Sequence, residues 1–148
     1  MRLLIQRVSR AEVRVGNTVA GRISRGILAF VGIAAADTTK DADYLADKLV
    51  HLRIFPDTQG KMNLSAIDVR GSLLLVSQFT LYGDCRRGRR PAFDSAAPPD
   101  RPRELYDYFA GKVRQSGLLT QTGVFQSHME VDLTNDGPVT LLLESPPG

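Results

Sequence analysis

"LLLVSQFTLYGD", residues 73–84, sets the terms for the whole chain. A run of leucine and valine leads into Ser77, Gln78 and Thr80 and then returns to Leu81 and Tyr82. The apolar part is too short for an ordinary helix and reads as a core strand over residues 72–82. Alternate residues of a strand share a face. Leu74, Val76, Gln78, Thr80 and Tyr82 would then lie on one side, and Leu73, Leu75, Ser77, Phe79 and Leu81 on the other. Gln78 and Thr80 continue an apolar face, which predicts half-burial near the strand's end. A buried amide or hydroxyl left without a partner costs about 1–3 kcal/mol. Two readings follow: these side chains bond to neighbouring backbone groups, or one of the hydroxyls, Ser77 or Thr80, is a nucleophile.

Outward from that strand, the N-terminal half is also built of strands. "RLLIQRV" (2–8), "AEVRVG" (11–16) and "TVAGRI" (18–23) alternate, with Gly16-Asn17 as a hairpin signal between the last two. "GILAFVGIAA" (26–35) is almost wholly apolar and reads as a strand covered on both faces. In "TTKDADYLADKLVHLRIF", Ala42, Leu45, Ala46, Leu49 and Leu52 form the stripe of an amphipathic helix, with Asp41 and Asp43 near its N-terminus. Pro56, Gly60 and Asn63 mark a loop. Residues 84–100, rich in Arg, Gly, Pro and Ala, predict a long loop, a class that is usually functional or disordered. A second helix is predicted from about Pro102 to Ser116, with Leu105, Tyr108, Phe109 and Val113 as its stripe and Gly117 past its end. Two strands, "HMEVDLT" (128–134) and "PVTLLLES" (138–145), would close the chain around Asn135-Asp136-Gly137. The expected fold is α+β: a single β-rich, barrel-like domain over residues 1–148, of mainly antiparallel strands with two main helices.

Composition narrows the chemistry. The 148 residues carry 43% hydrophobic and 24% charged side chains, the balance of a globular protein, and their net charge is +3. No apolar run approaches the ~20 residues of a membrane helix, so no membrane partner is expected. "RLLIQRV" directly after Met1 carries no cleavage pattern. Cys85 is the only cysteine, which rules out an intrachain disulfide and fits a reducing, cytoplasmic setting. With two histidines, His51 and His128, and no Cys-x-x-Cys or His-x-x-x-His spacing, no metal or other cofactor is expected. No Gly-x-Ser-x-Gly elbow and no Gly-x-x-x-x-Gly-Lys loop occur. "RRGRR" (86–90) places Arg86, Arg87, Arg89 and Arg90 around Gly88, either as a solvated loop or as a patch that contacts phosphates. In "NDGPVT" (135–140) Asp-Gly is an ordinary turn, but Pro138 removes a ladder donor. A cis Gly-Pro bond has a base rate of only about 5–6%.

"SQFTLYGD" (77–84) and "NDGPVT" (135–140), with "MRLLIQRVSRAEVRV", "LRIFPDTQGKMNLS" and "GRRPAF", together resemble the D-aminoacyl-tRNA deacylase family, from Met1 to about Ser145. The resemblance implies an editing hydrolase of β-rich, barrel-like fold. It implies cleavage of the ester between a D-amino acid and its tRNA, and of glycine mischarged on alanine tRNA. It implies a homodimer that needs no metal and has no DNA partner. Ser77, Gln78, Phe79 and Thr80 would line the catalytic pocket. Gly137 and Pro138, in cis, would enter the other subunit's site and exclude L-residues. Phe125 and Met129 would lie near the terminal adenosine. Arg86, Arg87, Arg89 and Arg90 would meet phosphates of the acceptor end. The chain departs from the family in two places: Arg87 and Ala92 replace the Lys and Ser of its common basic loop, and Gln126 and Ser127 replace Gly-Ala.

Overall fold

A strand of fourteen residues organises the structure. The computed structural model describes residues 1–148. Strand β1, Arg2–Val15, joins into one element what the sequence reads as two. It turns at Gly16-Asn17 into β2, Thr18–Ile23, with Val15 opposite Thr18 as the hairpin signal predicts. Strand β3, Gly26–Gly32, lies antiparallel to the first half of β1. After helix α1, Thr39–His51, come the short hairpin strands β4, Phe55–Pro56, and β5, Met62–Leu64, and the one-turn helix α2, Ala66–Val69. Strand β6, Ser72–Ser77, runs parallel to β3. Helix α3, Asp100–Arg114, leads to β7, Thr120–Thr122, parallel to β6, and to β8, Glu130–Glu144, antiparallel to β1. The main sheet is therefore mixed: β1 pairs antiparallel with β2, β3 and β8, while the β3–β6 and β6–β7 pairings are parallel. It curls until β2 comes back against β6 and β7, a nearly closed barrel.

Alternation along the central strands buries both faces. Ile27, Ala29 and Val31 of β3 and Leu73 and Leu75 of β6 face the helices, in the larger core. Leu28, Leu74 and Val76 point into the curl, where they meet Val8, Ala11 and Val13. This is the two-sided burial that "GILAFVGIAA" predicts. Helix α1 buries Ala42, Leu45, Ala46 and Leu49 as its stripe requires, and Thr38 with Asp41 closes its N-terminus as a capping box. The stripe of α3 needs one correction. Its buried face is Pro102, Leu105, Tyr106, Phe109, Ala110 and Val113, and Tyr108 is exposed. Tyr108 sits beside that face, and its hydroxyl donates to Asp43 Oδ1 at 2.8 Å, tying α3 to α1.

The C-terminal hairpin is also corrected. Both predicted strands pair with β1, in the same direction, as one continuous β8. Asn135 stands opposite Val8 and Thr140 opposite Gln6, so residues 136–139 face the single residue Arg7. "NDGPV" is a bulge on one strand, not a turn between two. A turn signal identifies a local bend, but the partner on either side is set by distant β1, which offers enough length to pair with both halves.

Candidate active site

Strands β3 and β6 are parallel, so both end at the same rim, with Val31 opposite Ser77. Beyond Ser77 the strand stops. Gln78 leaves strand geometry, and Phe79–Tyr82 forms a 3₁₀ turn. The alternation expected through residue 82 therefore ends at Ser77, and Gln78 and Thr80 do not extend the face of Leu74 and Val76. The cause lies in the neighbour: β3 ends at Gly32, which leaves β6 no ladder to follow. The turn folds back over that end instead. Gln78 N donates to Val31 O at 2.8 Å, and a Cβ on Gly32 would lie 2.9 Å from Leu81 Cβ. Only glycine admits that approach.

The rim opens on a cavity of about 540 Å³. Val31, Ile33, Val76, Ser77, Gln78 and Phe79 form one wall, Phe125 to Met129 and Val131 the facing one, and Pro102 and Tyr106 of α3 the side. The structure thus brings together Ser77, Gln78, Phe79, Phe125 and Met129 from segments nearly fifty residues apart. Thr80 is exposed and does not line the cavity, and its hydroxyl accepts a hydrogen bond from Gln78 Nε2. Phe79 is 61% exposed, with its ring tilted 60° against Phe93 at 5.1 Å. An apolar ring held at a cavity mouth with one face free offers a stacking surface.

Several contributors were not legible beforehand. Tyr106 donates its hydroxyl to Leu75 O at 2.9 Å, and burial pushes its phenol well above the ordinary value, so it stays a neutral donor that braces β6 just below Ser77. Gln126 adopts a left-handed backbone, φ 63°, a conformation that glycine takes without strain. His128 joins the lining beside Met129. Its proximity to Met129 in sequence was the only signal, and a lone exposed histidine carries none by itself.

Gly137 and Pro138 do not line this cavity. They are exposed on the β8 bulge, joined by a cis peptide bond, with φ 124° at Gly137. The bulge is fastened at its base. Arg7, 8% exposed, donates through Nη1 to Ile54 O at 2.6 Å and through Nε to Asp136 O at 3.0 Å. Asn135 Nδ2 donates to Thr140 Oγ1 at 2.8 Å, and Val139 N donates to Asn135 Oδ1 at 3.2 Å. Arg7 was another residue the sequence did not single out.

The basic loop is pinched at its neck, where Asp84 and Ala92 exchange backbone hydrogen bonds of 2.7 and 2.9 Å. Its four arginines are not equivalent. Arg86 grips Asp84 through two side-chain bonds, 2.9 and 2.7 Å, and this pairing holds the Asp84 carboxyl below the usual carboxylate range. Arg87, Arg89 and Arg90 are exposed around Gly88 and make no ion pair. No group of three or more His, Cys, Asp or Glu side chains converges as metal ligands.

Comparison with known proteins bears on the same segments. A family model described as D-Tyr-tRNA(Tyr) deacylase matches residues 4–144. A D-aminoacyl-tRNA deacylase of Geotalea uraniireducens is 56% identical over 146 residues, 99% of this chain and 94% of that protein. One from Solibacter usitatus is 57% identical over 145 residues, 98% and 96% of the two chains. Among solved structures, one named c-Myc DNA Unwinding Element Binding Protein superposes with a TM-score of 0.93 at 38% identity, covering 99% of this chain and 100% of that one. A probable eukaryotic D-amino acid tRNA deacylase, 18% identical, shares the fold with a TM-score of 0.85 over 97% and 98% of the two chains. With a family match over nearly its whole length and full-length relatives above 50% identity, the chain belongs to the D-aminoacyl-tRNA deacylase family.

Proposed function

We propose that this chain hydrolyses the ester linking a D-amino acid to the 3′ end of tRNA, and that it acts as a homodimer. The observation that carries the reading is the convergence of Ser77, Gln78 and Phe79 with Phe125 and Met129 around one cavity, in a chain of this family. Water attacks the ester carbonyl, the bond from the acyl carbon to the ribose oxygen breaks, and free D-amino acid and tRNA with its terminal hydroxyl restored are released. A helical turn leaves its first N–H groups without partners inside the turn. Those of Phe79 and Thr80 are the candidate oxyanion donors, a role worth about 2.7–4 kcal/mol per donor in a well-studied hydrolase. The cavity lining offers no carboxylate, and its one imidazole, His128, is exposed with no side-chain partner to orient it, so the 2′-hydroxyl of the terminal adenosine is assigned the proton transfer. Thr80 stands outside the cavity lining and acts through its hydroxyl, which holds Gln78, rather than as a nucleophile, because an unassisted threonine hydroxyl is a poor one.

Chirality is read by the bulge of a second copy. Gly137 and Pro138 stand exposed on β8, whose outer edge has no strand partner and bears the exposed side chains of Leu141 and Leu142. In the dimer this bulge enters the partner's cavity and places backbone where an L side chain would sit. Exclusion by backbone ignores what the side chain is, which suits many D-amino acids, and it also admits glycine, including glycine mischarged on alanine tRNA. A hydrophobic pocket alone separates substrates by only about 1–3 kcal/mol per methylene. Arg87, Arg89 and Arg90 contact acceptor-stem phosphates without reading sequence.

The test is deacylation of D-tyrosyl-tRNA against L-tyrosyl-tRNA and glycyl-tRNA. Release of the D- and glycyl esters with the L-ester spared is expected. Equal rates on the two enantiomers would remove the chiral role of the bulge, and no release from any of the three would remove the hydrolase reading. A second reading, DNA binding, is favoured by the name of the 38% identical structure. Retention of labelled duplex DNA as tight as that of tRNA, without ester cleavage, is its signature.

A further inference from the structure

Beside the cavity lies a second depression, of about 390 Å³, that is polar where the first is apolar. Helix α3 forms one bank with Arg103, Asp107 and Arg114, and the segment Thr122–Phe125 forms the other. Tyr106 and Phe125 line both spaces, so the two share a wall of two aromatic rings, 5.9 Å between centroids. The Arg103 guanidinium lies over the groove side of that wall, 5.4 Å from the centre of the Phe125 ring. Arg103 and Arg114 lie on one face of α3, three turns and roughly 16 Å apart along its axis. Both are exposed, and neither enters an ion pair, whereas Arg86 of the basic loop is already bound to Asp84. Asp107, between them, is unpaired as well.

We propose that this groove receives the single-stranded nucleotides that precede the terminal adenosine, with phosphates at Arg103 and Arg114. The inference rests on the deacylase reading, which puts the terminal nucleoside in the cavity on the other side of Phe125. A strand leaving that cavity past the shared wall enters a channel with cationic sites at both ends. Arginine favours phosphate because its planar fork presents several donors in fixed geometry. Arg103 also offers a stacking plane beside Phe125, and single-stranded nucleic acid is held by such combinations of positive groove and planar side chain. Asp107 distinguishes the site from a sink for free phosphate: it repels an anion at mid-groove and accepts from a base amino group or a ribose hydroxyl there. The groove is separate from the basic loop, so the two would grip different parts of one substrate, the loop the stem and the groove the single-stranded end.

The experiment uses the full chain with Arg103→Gln, Arg114→Gln and both together, after confirming by urea unfolding that each folds. Binding of a labelled trinucleotide, CCA with a 5′ phosphate, is compared with binding of adenosine across salt concentrations. The double variant is expected to lose at least about tenfold more affinity for the trinucleotide than for adenosine. Its log affinity against log salt should flatten by about 1.4, two phosphates at ~0.7 each for a single strand. Arg114→Lys should restore most of the slope because it restores the charge. Unchanged trinucleotide affinity and slope would overturn the proposal, as would equal proportional losses for trinucleotide and adenosine. If the unaltered chain binds the trinucleotide in this arginine-dependent way but cleaves no D-aminoacyl-tRNA, the groove stands and the deacylase reading falls. If it cleaves the ester and the double variant cleaves equally well at low substrate, the groove falls and the deacylase reading stands.

Discussion

Arg7→Met isolates the fastening of the β8 bulge. The substitution keeps an apolar stem of similar length and removes the guanidinium. Two hydrogen bonds go with it, one to Ile54 O at 2.6 Å, buried, and one to Asp136 O at 3.0 Å, partly buried, together with a 3.4 Å ion pair to the half-exposed Asp136 carboxylate. Hydrogen bonds to a charged group contribute about 1.5–3 kcal/mol each, and a buried carbonyl left unpaired costs about 1–3 kcal/mol. Ile54 O has no access to water, while Asp136 O can be rehydrated, so the first loss dominates. Against it stands the desolvation of a guanidinium held at 8% exposure, which methionine relieves. The net expectation is a loss of roughly 2 kcal/mol. With a urea m-value of about 1–3 kcal/mol/M, the unfolding midpoint falls by roughly 1 M at unchanged m. Gly137 sits against Arg7, whose Nη2 would be 2.6 Å from a Cβ placed there, so the bulge also loses its lateral support. The paired functional expectation is a fall in the ratio of D- to L-tyrosyl-tRNA hydrolysis, with the D rate reduced less than the ratio. A midpoint within about 0.2 M of the parent chain, together with an unchanged ratio, would refute both the energetic weight given to the Ile54 bond and the role assigned to the bulge.

Other expectations follow from separate parts of the structure. Thr80→Val and Thr80→Ala should hydrolyse D-aminoacyl-tRNA within a few fold of the parent at saturation; a loss near 10⁴-fold with binding intact would make Thr80 the nucleophile after all. Gly32→Ala should push the 3₁₀ turn off β3, at about 1–3 kcal/mol in unfolding free energy, and lower kcat/KM; an unchanged rate would mean that the turn's position does not matter to the site. Neutralising Arg87 and Arg89 together should weaken tRNA binding and flatten its salt dependence, whereas Arg86→Gln should do so less, because Arg86 already serves Asp84; equal effects would contradict that distinction. The Asp68 carboxyl, which accepts from Ser65 N at the start of α2, is held below its ordinary value by that backbone bond and by the Ser65 hydroxyl. A depressed folded value stabilises above the unfolded value of about 3.9 and is lost as pH falls through the folded one. Asp68→Asn should therefore lower the unfolding midpoint at neutral pH and flatten its decline below about pH 5; parallel acid limbs for the two chains would contradict the assignment.

What could be read in advance was whatever depends on neighbours in sequence. Val13, Val15, Val19 and Ile23 around Gly16-Asn17 specify a hairpin without reference to the rest of the chain, and the stripe of α1 likewise. Gln78 shows the limit. Its place off the strand is decided by where β3 ends, a fact about residue 32 that no periodicity near residue 78 contains. The β8 bulge misleads in the same way, because Asn-Asp-Gly looks identical whether the flanking strands pair with each other or with a third. The family resemblance supplied the members of the cavity wall, Ser77 to Phe79, Phe125 and Met129, that periodicity left open. It did not reach Arg7, Tyr106 or His128, whose contributions arise only when distant backbone comes to rest against them.

Because both arms of β8 are registered separately on β1, the bulge between them is decoupled from the ladder on either side. A one-residue slip within a ladder would turn every following side chain to the opposite face. A residue added or removed among 136–139 changes no register at all; it alters only how far the segment projects. The fold therefore contains a position where chain length can drift through insertion and deletion while the core stays as it is. In engineered variants the reach of this projection becomes adjustable without a change of register in the barrel that carries it.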